Sequence, residues 1–149
     1  MKTLLAVCIG MLISLLPGFA SATLGEPVNS ATKNLSSSNI SAKTTTEKYS
    51  IREYEQNGNT VREYASASGI VFAVGWNGIS KPDLETLFGS YFNEYLESLN
   101  AVPKQYGAKT ISMKTAKMVI RRGGRMRDQR GFAFVPSLVP EGVRIEDLQ

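Results

Sequence analysis

Histidine is absent from the 149 residues, and cysteine occurs once, at Cys8. Without histidine there is no Ser-His-Asp triad, no His-bearing metal site and no imidazole pH switch. Cys8 falls in an N-terminal stretch that reads as a removable leader. The chain left after that leader has no thiol nucleophile, no Cys-ligated metal and no disulfide, so its stability must come from burial. The sequence also lacks a P-loop, a dinucleotide fingerprint and EF-hand spacing. Carboxylates, lysines, tyrosines and serines are what remain for catalysis.

A bilayer-length apolar run is missing too. Leu4 to Leu16 falls short of the roughly 20 residues needed to cross a membrane. With Lys2 before it, Pro17-Gly18 breaking it and Ala20-Ser21-Ala22 as a small-x-small site, residues 1–22 are expected to be a secretory signal peptide. Cleavage would leave Thr23 first and no membrane span. Cys8 lies too early in the apolar region to be a lipoprotein cysteine. Removing 22 of the 149 residues leaves 127, and the formal charge falls from +4 to +3 with Lys2. That balance is only mildly basic and does not imply a nucleic-acid partner.

Residues 23–48 are Ser-, Thr- and Asn-rich and carry few large apolar residues, so they are expected to form a flexible linker. Asn34-Leu35-Ser36 and Asn39-Ile40-Ser41 match the glycosylation pattern, which a tract of this composition also produces by chance.

A single domain is expected over residues 49–149. Tyr49 to Ser66 reads as a hairpin around Asn57-Gly58, since both positions tolerate positive φ. That turn sets Arg52 opposite Glu63 and Glu53 opposite Arg62, which gives two cross-strand ion pairs from the repeated Arg-Glu-Tyr. They are expected as salt-bridged strand surface rather than a carboxylate pair. Ile70 to Trp76 is apolar on both faces, as in a covered central strand.

Ser80 is expected to cap a helix, with Pro82 in its first turn and Asp83 as the capping-box acid. Leu84, Leu87, Phe88, Tyr91, Phe92, Tyr95, Leu96 and Leu99 then recur on one helical face. Lys104 to Gly107 is expected as loop. Thr110–Met113, Lys117–Arg122 and Gly131–Val135 look extended, and Val143–Gln149 reads as a closing helical turn. The expected fold is α+β. An antiparallel sheet of about five strands carries one long amphipathic helix, Pro82–Leu99, on one face.

The strongest chemical feature is the stretch Arg121 to Arg130. Arg121, Arg122, Arg125, Arg127 and Arg130 stand around Gly123-Gly124, and Asp128 offsets them only in part. Arginine holds phosphate and carboxylate in a planar two-point contact. The stretch is therefore an anion-binding candidate, against the plainer reading of a solvated hairpin loop. No aromatic is interleaved, as base stacking would require.

Several segments resemble one known family. They are Val61-Arg62-Glu63-Tyr64, Gly69 to Gly78, Pro82-Asp83-Leu84 with Leu87 to Phe92, Met126-Arg127, Gly131 to Pro136 and Pro140-Glu141-Gly142. Thr23-Leu24-Gly25 fits as well. The family is the proteobacterial domain of unknown function 2844. The resemblance implies an exported bacterial protein and carries no activity, cofactor or catalytic residue.

The functional expectation is a non-enzymatic periplasmic or secreted binding or accessory protein. Its partner would be an anionic glycan, lipopolysaccharide or another envelope component. No cofactor or metal is expected. The alternative is an exported hydrolase using carboxylates, which a pocket of converging, buried Asp or Glu would favour.

Overall fold

The structure, a computed structural model, describes residues 24–28, 40–101 and 110–148. The expected signal peptide 1–22, the pattern Asn34-Leu35-Ser36, Asn39 of the second pattern and the expected loop Lys104 to Gly107 lie outside these residues. The described chain forms one antiparallel sheet of seven strands in the order β1-β2-β3-β4-β7-β6-β5. The strands are β1 Ile40–Thr45, β2 Tyr49–Gln56, β3 Asn59–Ser66, β4 Val71–Gly78, β5 Thr110–Lys114, β6 Val119–Arg125 and β7 Asp128–Phe134. Two antiparallel meanders, β1 to β4 and β5 to β7, join edge to edge where β4 pairs with β7.

The expected sheet of about five strands is therefore corrected to seven. All the extended stretches of the sequence become strands, and β1 adds one from residues read as linker. β1 carries no apolar alternation. Its backbone groups are satisfied by pairing along β2, from Ile40 opposite Tyr54 to Thr45 opposite Ser50.

The central hairpin forms in the register its charges demand. Arg52 pairs with Glu63 and Glu53 with Arg62. Asn57 and Gly58 turn the chain with φ of 51° and 77°.

The single helix Pro82–Leu99 is also corrected. It consists of α1, Leu84–Phe88, a 3₁₀ turn at Gly89–Tyr91, and α2, Phe92–Ala101. Gly89 takes φ 47° and ψ −119°, outside helical space, and breaks the run. Tighter winding through the break shifts the helical phase. Leu96, on the expected apolar face, is consequently 41 % exposed. The cap is Asp83, whose Oδ1 accepts from the Thr86 amide at 3.1 Å. Ser80 instead accepts from Asn59 Nδ2 at 2.8 Å and donates to the Asn57 carbonyl, tying the hairpin turn to the chain after β4.

Each sheet face has its own apolar cluster. Leu84, Leu87, Phe88 and Tyr95 pack on Val61, Val74, Trp76 and Ile120. On the opposite face, Tyr64, Phe72 and Phe132 are covered by the C-terminal segment through Leu148. That segment contains 3₁₀ turns at Pro136–Leu138 and Ile145–Leu148, and Tyr64 donates its hydroxyl to the Leu148 carbonyl at 2.7 Å. Leu24 inserts, fully buried, into the helix-side cluster.

Candidate functional site

Strand geometry sorts the arginine-rich stretch. Side chains alternate between faces, and paired residues share a face. Arg121 to Arg130 is not a loop: it spans β6, the two-residue turn Met126-Arg127 and β7. Arg121 lies opposite Phe132, Gly123 opposite Arg130, and Arg125 opposite Asp128. The row continues from Phe132 to Gly75 and from Gly75 to Arg62. Arg62, Gly75, Phe132 and Arg121 thus stand abreast across four strands, on the face away from the helices.

An open trough of about 820 Å³ lies along this row. Arg62, Arg121, Arg125 and Arg130 line it, with Glu53 and Asp128. Gly75 and Gly123 contribute no side chain to it, which leaves room between the arginines. Arg62 bonds Glu53 at 2.5 Å, and Arg130 holds both oxygens of Asp128 at 2.8 and 3.0 Å. Arg62, Arg130 and Asp128 are largely solvent-facing and Glu53 is half-buried, so the two carboxylates are partly screened competitors for an incoming anion. The bond to Glu53 pushes the Arg62 guanidinium further up from its already high pKa. Four arginines face two carboxylates, so the trough carries net positive charge.

The other two sequence-predicted arginines are placed elsewhere. Arg127 occupies the turn with φ 64° and does not line the trough. Arg122 also borders the trough, but its side chain alternates to the helix face, where its guanidinium carbon sits 5.7 Å from the Tyr95 ring centre. Burial raises the Tyr95 phenol, with Arg122 opposing. Arg62 was not among the sequence candidates, because its pairing with Glu53 accounted for it locally. The signal was the glycine at position 75, which separates Arg62 from the arginines only once β4 is known to pair with β7.

The carboxylates do not converge. Glu53 faces the trough, whereas Glu63 lies on the helix side, 1 % exposed. Glu63 Oε2 accepts from Arg52 Nε at 2.9 Å, and Oε1 accepts from the Tyr54 hydroxyl at 2.7 Å. Burial pushes the Glu63 carboxyl up, and the charge of Arg52 with these hydrogen bonds opposes it. The Tyr54 phenol is pushed up as well, first by burial and then by the Glu63 charge. Arg52 Nη1 also donates to the Val28 carbonyl at 3.2 Å. This enclosed network ties the N-terminal segment to the sheet.

The fold and this face define a small single-sheet α+β protein with a cationic surface trough. The chain belongs to the family described as Protein of unknown function (DUF2844), whose model matches residues 20–148. No curated protein and no solved structure matches it. Among the described residues, no helix is long and apolar enough to cross a membrane.

Proposed function

We propose that this chain is an exported, non-enzymatic binding protein that holds an anionic envelope polymer along the arginine-lined sheet face. The observation that carries this reading is the row Arg62, Gly75, Phe132, Arg121, flanked by Arg125 and Arg130. With strands about 4.8 Å apart, the row spans about 14 Å. That reach suits several repeating charges of an acidic glycan or lipopolysaccharide better than a single ion. The trough is open along the sheet, so a long chain can lie across it. Glu53 and Asp128 each pair with their own arginine, and Glu63 is enclosed on the other face. That arrangement weighs against carboxylate hydrolysis.

Export rests on the leader pattern of residues 1–22. Mass spectrometry of the secreted or periplasmic fraction should find Thr23 as the N-terminus. A product retained with Met1 would overturn this half of the reading.

The binding half is tested by co-sedimentation with envelope polymers. Arg121→Gln, Arg125→Gln and Arg130→Gln combined should abolish retention at low salt, and Arg127→Gln should leave it intact. Wild-type retention should also fall as salt is added, since exposed charges are screened within about 10 Å at 0.1 M. Equal retention of wild type and the triple variant, or no retention of either, overturns the proposal.

A further inference from the structure

The Arg122 side chain lies on the opposite face from the trough, and it raises a separate question. Its Nε–H is buried with no hydrogen-bond partner. A buried guanidinium N–H without an acceptor is costly, so such groups are nearly always satisfied. Tyr95 offers only its ring face to this guanidinium.

Arg122 lines a second recess of about 180 Å³, between the start of the helical segment and the β6–β7 hairpin. Lys81 and Arg130 line the same recess, and none of its lining residues is an Asp or Glu. Arg130 is held by Asp128, which leaves Arg122 and Lys81 as two cations without a carboxylate among the lining residues, and an external anion is what relieves them. The recess has room for one oxyanion group with part of its hydration shell. Gln129 also lines the recess, but its Nε2 is already donated to the Arg125 carbonyl at 2.7 Å. The donors left for a ligand are the charged ones.

We propose that this recess binds a single phosphate-type dianion, with Arg122 and Lys81 as its principal ligands. A carboxylate brings one charge and a planar pair of acceptors. A phosphate brings up to two charges and oxygens in three directions, which suits cations set around it. The recess adjoins the trough and shares Arg122 and Arg130 with it, but Lys81 lines the recess alone, whereas Arg62, Arg121 and Arg125 line the trough alone.

Trp76 is the single tryptophan and lines both this recess and the trough, so its fluorescence reports phosphate binding and the variants below assign it to the recess. The experiment titrates the full mature chain with inorganic phosphate, glucose 1-phosphate and acetate at low ionic strength. A saturable fluorescence change is expected with both phosphates, and acetate should bind at least about tenfold more weakly, the scale of one lost charged contact. A tighter sugar phosphate would identify the group as one carried on a larger molecule, and equal affinities would identify the free ion. Lys81→Gln, at an exposed position that folding does not need, should weaken phosphate about tenfold. It should leave polymer co-sedimentation unchanged, whereas Arg125→Gln should do the reverse. Arg122→Gln should abolish the phosphate response, with thermal denaturation confirming that the variant is folded. No saturable response in wild type overturns the proposal, and so does a response that survives both Lys81→Gln and Arg122→Gln. Acetate binding as tightly as phosphate also overturns it.

Discussion

Arg52 and Glu63 face one another across β2 and β3 with both charges buried, at 7 % and 1 % exposure. Their sequence twins, Glu53 and Arg62, make the same cross-strand pair one residue along, on the other face, with Arg62 exposed and Glu53 half-buried. Removing one member of the buried pair leaves the other charge stranded. Arg52→Ala or Glu63→Ala should therefore each cost about 3–5 kcal/mol by urea denaturation. Arg52→Met with Glu63→Leu should cost clearly less than either, because no charge is left behind. Glu53→Ala should cost about 1 kcal/mol or less. Additive losses in the double variant would show that the two charges are not coupled.

Phe88 and Tyr91 separate two kinds of aromatic on the helical segment. Phe88 is fully buried and meets Trp76 and Tyr95 edge-on, with ring centres 5.9 and 5.2 Å away. Tyr91 is only partly buried, at the 3₁₀ break. Phe88→Ala should cost about 3–5 kcal/mol, the range for a deleted core aromatic. Tyr91→Ala should cost measurably less. Equal losses in chemical denaturation would place both rings in the same core.

Leu24 is the only fully buried apolar residue in the described segment before β1. Its amide donates to the Leu87 carbonyl at 3.1 Å, and Gly25 donates to Val71 at 2.8 Å. Leu24→Ala should lower stability by about 2–5 kcal/mol. Hydrogen exchange should show the Gly25 amide opening faster in that variant. A loss below about 1 kcal/mol would mean that the segment adds little to the core.

Glu94 reaches from α2 to the β5–β6 turn, where its Oε1 accepts from the Lys117 amide at 2.9 Å. Bonding to the Thr115 side chain, and then to this turn, holds the Glu94 carboxyl below its ordinary value of 4.5. The folded state thus binds this proton more weakly than the unfolded state does. The resulting stabilisation is present above the ordinary value and disappears as pH falls through the folded one. Wild type should exceed Glu94→Gln by about 1 kcal/mol or less near neutrality, because the site is solvent-exposed. The difference should vanish in acid. A difference that stayed constant down to low pH would exclude ionisation as its source.

Local chemistry determined a large part of this protein. Asn57-Gly58 set the hairpin, and the charges of Arg52, Glu53, Arg62 and Glu63 set its register, because a one-residue slip would lose both pairs. The apolar run through Trp76 and the family motifs were also legible, since each depends on neighbours within a few residues. Other features depended on contacts between distant segments. β1 has no pattern of its own and exists only through its pairing with β2. The break at Gly89 turns Leu96 outward, which an uninterrupted 3.6-residue period does not foresee. Above all, the sequence shows five arginines as one cluster, and the sheet divides them. Alternation sends Arg121, Arg125 and Arg130 to one face and Arg122 to the other, while the β4–β7 pairing brings in Arg62 from a hairpin about 60 residues away. Charge clustering along a chain is a local property. Which charges share a surface is decided by strand order, and strand order is fixed only when both faces of the sheet are buried.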